Sequence, residues 1–239
     1  MLAGISVDYV VRLEQGRAQH PSPQMLAALA RALRLSDDER DHLYRVAGAV
    51  PPSRDEVPRH IAPGVQRLVD RLSHSPVSVH SAAWDTLYAN PLWITLFGDP
   101  SGRSALERNV PWKNFVLGVH QIEFDDRHAA EFDADLAADL RTALRRYPAD
   151  RGLRALVARL RAESPRFEAL WASGHIAEHR STRKRILGTA AGDIEVDCDV
   201  LTVPGHDLRI VVYSAAPGSD DQSKLDLLRD AGPVPSAAR

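Results

Sequence analysis

Pro51, Pro52 and Pro58 fall together in the stretch Ala49–Pro58. Each fixes φ and removes a backbone donor, so neither a helix nor an interior strand runs through it. The 239 residues are therefore read as two parts joined by an extended spacer. Residues 1–48 carry only helical patterning, 49–62 form the linker, 63–218 mix helices with strands, and 219–239 read as a C-terminal tail. The expected class is α+β: a partial all-α domain, then a domain with a five-stranded antiparallel sheet and several helices.

In the first part, Ser6 is placed to cap a helix and Gly16 to end it after Gln15. Val10 and Leu13 share the inner face, whereas Asp8, Tyr9 and Arg12 point outward. An acid, an aromatic and an arginine on one face are able to read base edges or grip phosphate. An ordinary amphipathic surface helix has the same spacing. Ser22-Pro23 starts a packing helix, Gln24 to Leu35, with Met25, Leu26, Leu29, Leu33 and Leu35 at helical intervals. Ser36 caps a third, with Leu43, Tyr44 and Val46 as its apolar side and Gly48 as its stop. Three short helices fall below the size of an independent core, so this part is expected to pack on upstream residues, the second domain or a partner chain.

A net charge of −2 gives the chain no general attraction to polyanions, so DNA binding would rest on a local patch. One cysteine, Cys198, excludes an internal disulfide framework and points to a reducing, cytoplasmic setting; it reads as a small buried hydrophobe. No segment has the apolar length of a membrane span, and the N-terminus lacks a signal-peptide pattern.

In the second part, Val65, Leu68, Val69 and Leu72 mark a helix, Val77–Ser81 and Trp84–Ala89 read as strands, and Asn90-Pro91 opens a helix closed by Gly98. Asp126 to Tyr147 reads as a long helix with Phe132, Leu136, Leu140 and Leu144 on its apolar side and acids and arginines elsewhere. Asp150 and Ser164-Pro165 start two more, through Ala162 and Trp171. Arg183–Thr189, Asp193–Val203 and Leu208–Ala215 form an antiparallel meander. A three-residue loop ending at Gly192 sets Arg185 opposite Asp197 and Arg183 opposite Asp199, so the basic run Arg180–Arg185 pairs with the acidic strand face or else holds a phosphate or ligand.

Two family resemblances emerge from these residues. Gly4–Arg17, with Pro21-Ser-Pro23 and the following helix, resembles the phage-repressor-type helix-turn-helix of the XRE family. The resemblance implies that Val7, Asp8, Tyr9 and Arg12 face bases and that Gln15, Arg17 and Gln19 contact phosphates. Members of that family have two helices ahead of the reading helix, whereas this sequence starts at Met1-Leu-Ala-Gly4, so specific binding by the chain as written is expected to be weak or absent. Ala83–Asn90, Leu96–Asp99, Glu107-Arg-Asn109, Ser164–Trp171, Asp199–Pro204 and Val211–Gly218 resemble the MmyB-like ligand-binding domain, a PAS-like sensor. Thr189-Ala190 stands where that family usually has His-Pro. The resemblance implies a ligand-responsive transcription regulator acting on operator DNA, with a small hydrophobic ligand such as a fatty acid.

The expected pocket wall is Trp84, Leu87, Trp93, Phe97, Trp112, Phe115, Phe124, Phe132 and Trp171, with Arg108 and Asn109 as its polar end. Each aromatic fits equally as core, and Arg108 as one side of a structural salt bridge. A homodimer is expected, because paired half-sites call for two readers. The alternative function is a small-molecule-binding or dimerising module without DNA binding.

No phosphate loop, nucleophile elbow, dinucleotide fingerprint or His-Glu-x-x-His is present, so neither an enzyme nor a cofactor is expected. His175 and His179 have metal-like spacing without a helical context, and no metal site is assigned to them. Glu195, Asp197 and Asp199 alternate on one strand face, which suits a solvated surface paired with arginines better than a cation site or a hydrolase centre.

Overall fold

The computed structural model describes residues 7–17, 21–35, 37–52, 56–118, 120–124, 126–176, 181–203 and 205–232. Ser6, Gln19, Ser36, His179 and Arg180, to which roles were assigned above, lie outside them, as do the side chains of Val7 and Asp8. The chain forms two units, Met1–Ser53 and Arg54–Arg239.

The first unit holds α1 (Val7–Glu14), α2 (Pro23–Ala32) and α3 (Asp37–Val46). Gly16, at φ 69°, stops α1 in the left-handed conformation that glycine adopts without strain. Ser22 caps α2 by accepting from the Met25 amide at 3.3 Å. Helices α2 and α3 pack through Leu26 and Tyr44, whose hydroxyl donates to the Pro23 carbonyl at 2.8 Å. Helix α2 is shorter than expected, since Arg34 turns to φ 51°. Leu33 and Val46, read as packing residues, are 64% and 73% exposed.

The second unit is organised by Asn90, at the junction of strand and helix. Its side-chain oxygen accepts from Val77 N of β1 (Val77–His80) at 3.0 Å and caps α5 (Pro91–Phe97) through Trp93 N at 2.9 Å. Its amide donates to the carbonyls of Leu72 and Ser75, tying down the end of α4 (Pro63–Arg71). Four hydrogen bonds from one buried amide thus fix β2 (Thr86–Ala89), β1, α4 and α5 together.

The sheet has six antiparallel strands in the order β2-β1-β6-β5-β4-β3, where β3 is Ile122–Glu123, β4 Thr182–Thr189, β5 Gly192–Val203 and β6 Leu208–Ser214. The unexpected β3 is only two residues long, too short for an alternating pattern to reveal it. The β4–β5 register also differs from expectation: Arg183 faces Asp197 and Arg185 faces Glu195. Thr189 pairs with Gly192, so the loop has two residues instead of three, and a bulge at Gly188 (φ 65°) shifts the rest. A slip of two residues keeps every side chain on its face. Arg183 therefore still pairs with acids, Asp197 at 3.2 Å and Glu195 at 3.3 Å, as Arg185 does with Asp193 at 3.2 Å.

One face of β1 and β6 packs on α4 through Val65, Val69, Val77, Val79 and Ile210. The opposite face of the sheet meets α5, α7 (Asp126–Arg146) and α10 (Asp220–Ala231). The segment read as a tail opens with a helix: Ser219 caps α10, whose Leu225 and Leu228 are buried in the core. A second apolar cluster joins α7, α8 (Arg151–Glu163), α9 (Pro165–Ala172) and Trp112 of the short α6 (Val110–Trp112), which continues as a π-helical turn through Leu117. Helix α7 differs from its expected pattern, because Asp133, Asp135 and Asp139 are buried and paired instead of solvated. Among the described residues no helix is long and apolar enough to cross a membrane.

Candidate functional site

Strand alternation decides what reaches the interior of the sheet. Arg183 and Arg185 point to the acidic outer face, so Lys184 between them points inward. Its side chain is almost fully buried, with the ammonium 4.5 Å from the ring centre of Phe132, 4.8 Å from Phe124 and 5.8 Å from Tyr213. Rings attract a cation through their faces but do not neutralise it. No carboxylate or hydrogen-bond acceptor reaches Lys184 among the described residues.

Lys184 lines a cavity of about 100 Å³ between the sheet and the helices. A water needs only roughly 10–15 Å³ on the same measure, so this is a true cavity and not a packing gap. Trp84, Trp93, Phe97, Phe124 and Phe132 supply aromatic wall, and Val200, Val211 and Tyr213 the sheet floor. Phe124 and Phe132 stack with centroids 5.4 Å apart. Those two residues, with Asn114 and Ile122, also border an outer hollow with His120, Asp133 and Arg166, where the cavity approaches the surface. Burial raises the Asp133 carboxyl above its ordinary value, while Asn114 at 2.6 Å and Arg166 at 3.2 Å oppose the shift.

Beyond Lys184 the wall also carries polar groups, Ser78, His80, Asn114 and Gln121, and a second cation, Lys113. His80 Nε2 shares a proton with Ser78 Oγ at 2.8 Å, and Nδ1 lies 3.3 Å from Thr86 Oγ1. Burial, with Arg209 and Lys113 adding like charge, lowers the imidazole to about 3, so His80 is neutral at physiological pH. Burial also pushes the Tyr213 hydroxyl up, with Cys198 beside it. Cys198 is buried as expected and lines the cavity.

Several expected wall residues lie elsewhere. Trp112 sits under Arg159, whose guanidinium is 4.4 Å from its ring, and Phe115 and Trp171 pack on Phe167 at 5.1 and 5.7 Å; all three belong to the helical cluster. Leu87 alternates outward from β2 and lines a different hollow with Arg108 and Asn109. Asn109 is engaged structurally: it caps α6 through Trp112 N, donating also to Ala83 O at 2.8 Å and Asp85 at 3.0 Å. The polar part of the cavity is therefore Lys184 and Lys113, with Ser78, His80 and Asn114, and not the Arg108-Asn109 pair. The clue was period-two alternation within the basic run, which separates Lys184 from the paired arginines on either side.

In the first unit Arg12, Gln15 and Arg17 are exposed on and just after α1, whereas Tyr9, Val10 and Leu13 are half-buried. Helix α1 thus offers two cationic side chains and an amide to solvent at its C-terminal end.

Residues 61–228 match the family model for the MmyB-like transcription regulator ligand binding domain, and residues 1–43 match one for a helix-turn-helix domain. No curated protein matches the chain.

Proposed function

The chain belongs to the MmyB-like transcription regulators by its ligand-binding domain, and on that premise we propose that its core cavity takes an apolar carboxylic acid, such as a fatty acid. The helix-turn-helix and the ligand-binding domain together make a ligand-responsive DNA-binding regulator. The choice of ligand rests on one observation: a buried ammonium, ringed by aromatics and unpaired with any carboxylate among the described residues, faces a cavity whose wall is largely aromatic and aliphatic. A carboxylate would neutralise Lys184 through charge-assisted hydrogen bonds while its alkyl body covers Trp93, Phe97 and Val200. Binding would engage Phe132 of α7, the helix that also holds Trp84 through Asp139, and α7 is the element proposed to shift. The proposed DNA contacts are Val7, Asp8, Tyr9, Arg12, Gln15, Arg17 and Gln19, presented by a homodimer to paired half-sites.

The test is a melting titration. Decanoate at about a hundredfold excess over its Kd stabilises the fold by about 2.7 kcal/mol, which raises Tm by about 5–10 °C in a chain of this size. Decylamine gives no such rise. Lys184→Met keeps the volume, folds at least as stably, and loses the preference for decanoate over decanol. Equal decanoate affinity in parent and variant would refute the assignment.

A further inference from the structure

A second hollow, about 590 Å³, opens on the other side of β2 and shares no lining residue with the core cavity. Its wall comes from Thr86 and Leu87 of β2, the turn Ala105–Asn109, and the first turns of α8 at Gly152, Leu153 and Leu156. Arg108 stands in it with its Nε shielded from solvent and without a hydrogen-bond partner. Native folds rarely leave such a donor orphaned, and each instance calls for an explanation.

The acids nearby are already committed. Asp85 accepts from Asn109 at 3.0 Å and Ser81 at 3.4 Å, and pairs with Arg59 at 3.3 Å. Asp150 accepts from the amides of Val57 and Leu153 at 2.9 and 2.8 Å, lies beside the Gly152 amide, and has Arg59 at 3.9 Å. Among the described residues Arg59 thus has two carboxylates and Arg108 has none. The backbone of Arg108 is held on both sides, its N–H donating to Ser104 O at 3.1 Å and its carbonyl accepting from Thr86 N at 3.0 Å. The guanidinium stem therefore leaves a fixed anchor, which lowers the ordering cost of gripping a ligand.

We propose that this hollow is a second ligand site that takes a small monocarboxylic acid with an apolar body, its carboxylate on Arg108. The planar fork of a guanidinium matches a carboxylate in two parallel hydrogen bonds. Leu87, Leu106, Leu153 and Leu156 give the body an apolar seat. Asp85 in the same wall repels a multiply charged anion, and one unpaired guanidinium does not balance a phosphate dianion. The regulator then reads two acids at two places, one enclosed in the core and one at the sheet edge.

Benzoate, benzyl alcohol and inorganic phosphate, titrated into the full chain and followed through backbone amide shifts, test this. Benzoate should move the amides of Leu106–Asn109 and Gly152–Leu153 saturably, and benzyl alcohol should not. Arg108→Gln should weaken that binding on the order of tenfold or more, and Lys184→Met should leave it unchanged. If Arg108→Gln does not fold, Arg108→Lys serves instead: it keeps the charge, loses the fork and should also bind more weakly. Shifts confined to the core cavity, affinity indifferent to the Arg108 substitutions, or tighter binding of phosphate through Arg108 would each overturn the proposal. The two sites report on different amides, so failure here is distinguishable from failure at Lys184.

Discussion

Asp139→Ala is expected to destabilise the second unit by about 3–5 kcal/mol, because it removes the acceptor that two buried groups share. Asp139 Oδ2 accepts from the Trp84 indole at 2.7 Å and lies 3.1 Å from Arg209 Nε. That Nε is poorly aligned for a hydrogen bond, so the pairing with Arg209 is chiefly coulombic. The guanidinium also covers the Trp84 ring at 5.1 Å, and both side chains of the ion pair are largely buried, at 12% and 10% exposure. Without Asp139 the arginine is an uncompensated buried cation and the indole an orphaned donor. Trp84 adds strain of its own, since it holds φ 64°, a conformation that costs a non-glycine residue about 1–3 kcal/mol. The double change Asp139→Leu with Arg209→Met should cost much less than the sum of its parts, because neither charge remains. Urea unfolding at neutral pH checks both. A loss below about 1 kcal/mol for Asp139→Ala would show that the network does not hold α7 to the β1–β2 turn.

The second large effect is with pH. The His80 imidazole titrates at about 3 in the fold against an ordinary 6.5, a gap equivalent to about 5 kcal/mol. For a group whose folded value is depressed, the unfolded chain takes up the proton first. Its contribution is therefore complete above pH 6.5, shrinks as the pH falls through that value, and is gone near pH 3. Asp99 and Glu107, lowered by hydrogen bonds from Ser101 and Ser104, lose their contributions only at more acid pH. Asp133, raised by burial, acts in the opposite direction but equally in parent and variant. Between pH 6.5 and 4.5 the parent should lose about 2–3 kcal/mol more than His80→Gln. Parallel stability curves for the two proteins would contradict a buried neutral imidazole.

How much of this was legible depends on which physical signal each feature carries. Asn90-Pro91, Asp150 and Ser164-Pro165 announced their helices because a cap is a local contract between a side chain and amides two or three residues on. The β5–β6 strands were legible from branched residues in alternation, and the β4 arginines from their facing acids. The register within the β4–β5 hairpin was not, since a bulge at Gly188 is a choice among turns that the local sequence permits equally. Helix α10 was missed because Leu225 and Leu228 are too few to mark a stripe, and only the core they meet gives them meaning. The same holds for the buried aspartates of α7: their partners Trp84, Asn114, Arg166, Arg209 and His175 come from distant segments.

The cavity was half legible for the same reason. Aromatic residues between Trp84 and Phe132 marked the region, but the choice of which ring faces the sheet and which faces α8 and α9 is made by tertiary packing. Arg108 drew attention because a guanidinium beside an amide can grip a carboxylate, and the structure places it in a separate hollow. Lys184 hid in a basic run whose neighbours explained it away.

DNA affinity measured with and without decanoate tests the regulator reading most directly. A specific site selected from random-sequence DNA and titrated at fixed salt, even if bound weakly, should show an affinity for the parent chain that changes roughly fivefold or more when decanoate saturates the core cavity. A ligand with equal affinity for both conformations shifts nothing, so this change is the signature of regulation. In Lys184→Met the DNA affinity should be the same with and without decanoate. Identical DNA affinity for the parent chain in both conditions, or an unaltered response in Lys184→Met, would contradict a regulator governed by an acid held at Lys184.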